Sequence, residues 1–180
     1  MQKVVWMLIA LMLGCGTAFA QDTPLGELFG GYSYYRLEGD NYNGWHASIA
    51  QNANNWVGVK ADISGHYTSK SSPLGRTENW LHNFLLGPQF SYRKSEAVTP
   101  FFHALAGITR GTFVVNTGSD RGSASRNVFA AAFGGGVDVK ITGSAAFRVF
   151  QADYILNRVD TESFHNMRLS IGFVYRFGSK

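Results

Sequence analysis

Eight stretches of this sequence alternate between apolar and polar residues, and no other feature constrains the fold so strongly. They span residues 27–37, 43–53, 56–67, 80–93, 99–113, 126–141, 144–158 and 165–177. A period of two is typical of β-strands, whereas a helix would repeat every 3.6 residues and carry capping residues. The sequence therefore predicts an all-β protein with eight antiparallel strands connected up and down.

The lengths of the strands and of their connections suggest a membrane barrel. Each stretch has at least 11 residues, and a tilted strand needs roughly 9–11 residues to cross a bilayer. The connections after the second, fourth and sixth strands are short, whereas segments 68–79 and 114–125 after odd strands are longer and polar. Outer-membrane barrels combine tight turns at one end with long loops at the other. We therefore expect loops at 68–79 and 114–125.

The first twenty residues have the features of a cleaved secretory signal peptide. Lys3 supplies a positive charge, residues 4–13 are apolar, and Ala18-Phe19-Ala20 forms a cleavage signal. Cleavage there leaves residues 21–180 as one barrel domain without cysteine, because Cys15 is the only cysteine. No later apolar run reaches the roughly 18 residues that a transmembrane helix needs.

The two faces of the predicted strands differ in character. One face is apolar on nearly every strand, and the other is mixed and charged. A soluble, lipocalin-like carrier would turn the apolar face inward, whereas a membrane barrel would turn it toward lipid. The apolar face holds too many large side chains for the interior of eight strands, and Tyr and Trp lie near strand ends, where interfacial girdles belong. We therefore expect the polar face to line the lumen.

Charges inside such a lumen must pair, because an unpaired buried charge costs several kcal/mol. Asp153 and Arg168 are equally far from the connection at Asp160-Thr161, so hairpin pairing predicts that they face each other. Glu27 begins the first strand and Arg176 lies near the end of the last, so closure predicts a second pair. Lys60, Asp62 and Asp138 share the same face and complete the predicted interior ion-pair network.

The last strand, Ser170 to Phe177 (SIGFVYRF), carries a large apolar residue at every second position. Its pattern resembles the signal that the barrel-assembly machinery recognises, with Ser170, Gly172, Tyr175 and Phe177 at the matching positions. The whole mature chain resembles the small eight-stranded outer-membrane β-barrels of the OmpA/OmpX-like class. The resemblance implies an outer-membrane monomer without a cofactor, with both termini in the periplasm. Its implied partners are membrane lipid, lipopolysaccharide and the assembly machinery.

Other functions remain open at this stage. The net charge is +4, but the basic residues are spread out, which argues against a nucleic-acid surface. Some small barrels modify lipid A with a His/Ser pair, and His46, Ser48 and His66 could supply one. These residues face the lumen in our interpretation, so we favour a structural or surface-interaction role without catalysis. A narrow passive pore is the alternative. The histidines lie on separate strands and do not predict a metal site, and Gly134 to Gly136 predicts a bend in the sheet.

Overall fold

The computed structural model describes residues 23–37, 39–72, 75–95, 97–117, 120–159 and 162–179. The predicted signal peptide, residues 1–20, lies outside this part of the chain. Among the described residues, no helix is long and apolar enough to cross a membrane.

Eight antiparallel strands form one closed barrel. Each strand pairs with the next along the chain, and β1 pairs with β8, so the sheet has no free edge. The predicted eight-stranded, up-and-down barrel is therefore confirmed. The strands are β1 Pro24–Leu37, β2 Asp40–Asn52, β3 Val57–Ser72, β4 Gly75–Ser91, β5 Val98–Thr117, β6 Asp120–Lys140, β7 Ala145–Val159 and β8 Glu162–Ser179.

The loops predicted at 68–79 and 114–125 are wrong, because strand pairing continues through both segments. Ser69 pairs with Glu78, and Asn116 pairs with Arg121. The Gly, Ser and Asp residues of these segments predict loops by composition. The apolar parts of the same strands set the pairing register, however, and the polar residues continue the backbone hydrogen bonding in that register. The asymmetry of the molecule is therefore one of strand length.

The two ends of the barrel are distinct. The start of β1, the end of β8 and the turns that connect β2 to β3, β4 to β5 and β6 to β7 lie at one end, which we call the terminal end. The extended hairpins lie at the opposite end, which we call the distal end. The short turns match the prediction.

Side chains alternate between the outer surface and the interior, as strand geometry requires. Large apolar residues on the outer face are about half exposed, whereas most inward positions are buried and many are polar. This arrangement is the reverse of a soluble barrel and matches one whose outer surface contacts lipid. Outward examples are Leu28, Ile49, Phe84, Phe102, Phe129, Phe150 and Ile171; inward examples are His46, Asp62, Asn83, His103, Asp153 and Arg168.

One irregularity shifts the alternation in β7. The register with β6 shifts between Val137 and Asp138, and the register with β8 shifts between Arg148 and Gln151. Arg148 and Gln151 are both buried, while the two residues between them are both exposed. A β-bulge of this kind inserts one extra residue and changes which side chains face inward.

Candidate functional site in the barrel interior

The interior is organised around Arg168 on β8. Its guanidinium donates to both carboxylate oxygens of Asp62 on β3, at 2.9 and 3.2 Å. It also contacts Asp153 on β7, with Nη2 2.7 Å from Oδ2. All three side chains are completely buried. The structure thus brings the predicted partners Asp153 and Arg168 together and adds Asp62 from across the lumen.

Lys60 adds a second positive charge to this group of buried side chains. Its Nζ lies 3.6 Å from Asp62 Oδ2 and 5.5 Å from the centre of the Phe101 ring. No hydrogen-bond partner contacts this ammonium among the described residues. Two cations, Lys60 and Arg168, therefore face two anions, Asp62 and Asp153, in a region without access to solvent.

A chain of hydrogen bonds continues from Asp62 across the β1–β8 seam. The His46 ring contacts Asp62 Oδ2 through Nε2 at 2.6 Å and Ser170 Oγ through Nδ1 at 3.0 Å. Ser170 contacts Ser33, which in turn contacts His66 at 2.9 Å. Both ring nitrogens of His46 are therefore occupied, and its serine partner is Ser170 rather than the Ser48 suggested by the sequence.

A second ion pair follows on β6 and β7. Arg148 donates to the two carboxylate oxygens of Asp138 at 2.7 and 3.0 Å. Its guanidinium also lies 4.4 and 4.1 Å from the ring centres of Phe29 and Phe101. Gln151 links it to the Arg168 group, because it accepts from Arg148 and donates to Asp153. Sequence reasoning missed Arg148, because strict alternation from Asp153 and Gln151 assigns it to the outer face.

Glu27 occupies the terminal end of the lumen between two arginines. Arg93 Nη2 lies 3.0 Å from Glu27 Oε1, while the predicted partner Arg176 lies farther away at 3.5 Å. Arg93 also donates to Asn52, and Arg176 donates to Thr99. The structure therefore places Glu27 and Arg176 in one cluster, with Arg93 as the shorter contact.

Apolar side chains fill the lumen on the distal side of the Arg168 group. The alternation in the sequence does not predict this distal plug, because the inward face of the strands is mixed and charged. It extends over six strands and shields the charges from the distal side. Its members are Tyr35, Tyr42, Leu85, Leu105, Ala130, Ala132 and Ile155, with Leu37 and Leu81 packed against them.

The glycines predicted to bend the sheet lie against large side chains of the lumen. A Cβ atom on Gly134 would lie 2.1 Å from Asp153 Oδ1, and one on Gly136 would lie 2.9 Å from the Phe101 ring. These glycines therefore make room for larger lumen side chains on neighbouring strands.

The four residues of the predicted assembly signal all lie along the β1–β8 seam. Ser170 and Gly172 face inward, whereas Tyr175 and Phe177 face outward. Gly172 pairs with Gly31, and a Cβ on Gly172 would lie 2.5 Å from the Gly31 Cα. The Phe177 ring covers Gly26, where an added Cβ would approach the ring to 2.4 Å.

This interior resembles a catalytic site only in its connectivity. Ser170, His46 and Asp62 form a serine–histidine–carboxylate chain, but all three are buried and Asp62 is held by Arg168. A nucleophile must reach its substrate, and these side chains have no exposed approach. Among the described residues, no group of three or more His, Cys, Asp or Glu is placed to hold a metal ion.

Comparison with known proteins identifies a family that shares this fold. A family model described as the outer membrane protein beta-barrel domain matches residues 7–177. Among curated protein sequences, none matches the chain.

Solved structures show the same fold at low identity. Ail, the attachment invasion locus protein of Yersinia pestis, in complex with the heparin analogue sucrose octasulfate, is 20% identical with a TM-score of 0.58, covering 83% of this chain and 97% of that chain. Neisserial surface protein A is 14% identical with a TM-score of 0.55, covering 84% and 96%. OprG from Pseudomonas aeruginosa is 14% identical with a TM-score of 0.55, covering 88% and 98%.

Proposed function

This chain belongs to the family of outer membrane protein β-barrel domains, and from that premise we propose that it is a closed, non-conducting barrel. Its role is to stabilise the outer membrane and to present its distal hairpins as an interaction surface. The sealed lumen supports this proposal most directly. Arg168, Asp62 and Asp153 cross the interior with no solvent exposure, and the distal plug lies above them.

Conductance in planar bilayers tests the closed lumen. The folded protein should produce no steady current above that of the bare bilayer, because solutes would have to displace paired charges and apolar side chains. Folding is verified separately by the change in gel mobility on heating, so that the absence of current refers to intact barrels. A steady, reproducible conductance from the folded protein would favour a narrow pore.

We propose further that the barrel has no catalytic activity. Ser170, His46 and Asp62 are at most 4% exposed, so lipid in the membrane has no route to them. Mass spectrometry of lipid A from cells with and without the protein should show identical species. A mass shift that depends on the protein and disappears in Ser170→Ala would support an enzyme.

The family also suggests an orientation and a route of assembly. We propose that the terminal end lies in the periplasm and that the extended distal hairpins lie outside the cell. Ser170, Gly172, Tyr175 and Phe177 then form the signal read by the barrel-assembly machinery. Each strand of the sheet is paired within one chain, which supports a monomer.

A further inference from the structure

Basic side chains collect on the outer surface near the distal end of the barrel. Arg36, Arg110 and Arg158 are exposed and continue the outward, lipid-facing rows of β1, β5 and β7. His82 on β4 and His165 on β8 lie on the same outer face. We call these five residues the basic belt.

The strand register places the basic belt at one height. The strands are tilted, so a path that passes from each residue to its hydrogen-bonded partner on the next strand rises toward the distal end. Residues at the same height on neighbouring strands are therefore not direct partners but differ from them by one or two positions. Arg110 lies opposite His82 and Asn127, and Arg158 lies opposite Phe129, two residues farther along β6. Met167 lies opposite Arg36, and His165 lies opposite Leu156, two residues before Arg158. The climb is visible in the chain of partners Leu28, Ile49, Ala61, Leu86, Ala106, Ala131, Leu156 and His165.

The belt arginines differ from the lumen arginines in having no counter-charge. Within the described residues, Arg36, Arg110 and Arg158 form no salt bridge, whereas Arg148 and Arg168 are both paired with buried carboxylates. Two acidic side chains near the belt are already engaged. Glu78 contacts Arg76 at 3.1 Å, and Asp40 contacts Lys70 at 2.7 Å. Among the side chains that the structure describes, the belt arginines therefore have no carboxylate in a salt bridge with them.

The belt also borders apolar grooves on the same surface. One groove of about 290 Å³ lies between Arg36, His165, Tyr154 and Met167, and the Tyr154 hydroxyl is hydrogen-bonded to the His165 ring. Tyr154 and Met167 belong to the lipid-facing band, so the groove joins that band to the basic belt.

A second groove, of about 590 Å³, lies on the β3–β4 hairpin. Its walls include Tyr67, Trp80 and His82, and Tyr67 is within 3.2 Å of the His82 ring nitrogen. Near the terminal end the outward positions are apolar, as at Phe90, Tyr92 and Phe177, while the exposed Lys94 lies in a turn and the exposed Lys140 is the last residue of β6. Arginines on the outward strand rows therefore concentrate near the distal end of the barrel.

We infer that the basic belt binds the phosphate groups of lipid A, the glycolipid of the outer leaflet, with its acyl chains along the adjoining apolar grooves. Charge complementarity favours an anion, because guanidinium groups recognise phosphate through paired hydrogen bonds. The continuity of the grooves with the lipid-facing band favours an amphiphile over a soluble anion. The inference rests on the proposed orientation, in which the distal end faces the outer leaflet.

Native mass spectrometry of the folded barrel in a non-ionic detergent tests the inference. The probes are lipid A with both phosphates, the same lipid after enzymatic removal of its phosphates, and phosphatidylglycerol. We expect the intact protein to retain diphosphorylated lipid A in preference to the other two. Arg110→Gln/Arg158→Gln should weaken that binding at least about tenfold, since each lost charge-assisted contact is worth roughly one decade.

The matched control is Lys94→Gln/Lys140→Gln, which removes the same charge from exposed positions near the terminal end and should leave binding unchanged. All variants alter exposed side chains and should keep the heat-dependent gel shift of the folded barrel. Equal retention of the three lipids, or equal loss in both double variants, would overturn the inference. Such a result would leave the closed-barrel function intact, because conductance is measured without lipid A.

Discussion

At the scale of single residues, the central question is how a guanidinium is held inside a membrane protein. Arg168 makes paired hydrogen bonds to Asp62 and a further contact to Asp153. The planar fork of arginine suits this geometry better than a lysine ammonium would. Removing one partner of a buried pair is costlier than the pair is stabilising, because the remaining charge loses its compensation.

Replacement of Arg168 by leucine should therefore lower the free energy of unfolding by about 3–5 kcal/mol. Asp62 and Asp153 would remain buried without the guanidinium that they share, and the Lys60 ammonium is 3.6 Å from Asp62. Urea unfolding of the barrel refolded in detergent, followed by tryptophan fluorescence, measures the change.

Arg76→Leu is the matched control, because Arg76 pairs with Glu78 on the solvated hairpin. Its loss should cost no more than about 1 kcal/mol. The combined variant Arg168→Leu/Asp62→Asn/Asp153→Asn should recover part of the lost stability, since the orphaned carboxylates are then neutral. An Arg168→Leu protein as stable as the control would contradict this account of the lumen.

At the scale of elements, the seam between β1 and β8 joins the first and last strands of the barrel. Gly31 and Gly172 face each other, and neither has room for a Cβ atom. Phe177 covers Gly26 on the outer side of the same seam. The residues proposed as an assembly signal thus also hold the barrel closed, so recognition and stability must be measured separately.

Phe177→Ala separates the two roles. If Phe177 is read during assembly, the variant should be depleted from outer-membrane fractions of cells severalfold, while the purified chain still refolds in detergent. Phe150→Ala is the control, because Phe150 is also a phenylalanine exposed on the outer face but lies outside the signal. Equal levels of both variants in the membrane would remove Phe177 from the proposed signal.

The bulge in β7 shows how a single inserted residue changes the lumen. It turns Arg148 inward, where the guanidinium pairs with Asp138 and packs against Phe29 and Phe101. Without the bulge, Asp138 would lose its partner. A local departure from the strand period thus supplies one of the two arginines at the centre of the lumen.

At the scale of the whole molecule, closure of the barrel and its orientation in the membrane determine which surfaces meet lipid and which meet solvent. Every strand is paired on both sides, and lipid offers no partner for an unpaired backbone group. The outer surface is apolar across the middle of the barrel and basic near the distal end. This polarity supports the proposed orientation in the membrane.

Cysteine labelling tests that orientation, because residues 21–180 contain no cysteine. Ser123 lies exposed on a distal hairpin, and Ser144 lies exposed in a turn of the terminal end. A membrane-impermeant maleimide should label Ser123→Cys on intact cells and Ser144→Cys only after the outer membrane is permeabilised. The opposite pattern would reverse the barrel in the membrane.

The sequence by itself determined the number of strands, their antiparallel order and the inverted facing of apolar and polar residues. These properties follow from local periodicity and from counting across hairpins, which also places Asp153 opposite Arg168 in the register. The loops at 68–79 and 114–125 were misjudged because composition does not show where a ladder that is already in register stops.

Only the tertiary structure decided which charges meet across the lumen. Asp62 reaches Arg168 from β3, and His46 reaches Ser170 from β2, although these residues are distant in the chain. Their contacts depend on how the register climbs around the closed barrel, and Arg148 depends on the bulge. Neither the climb of the register nor the bulge can be predicted from a short stretch of sequence, because closure is a property of all eight strands together.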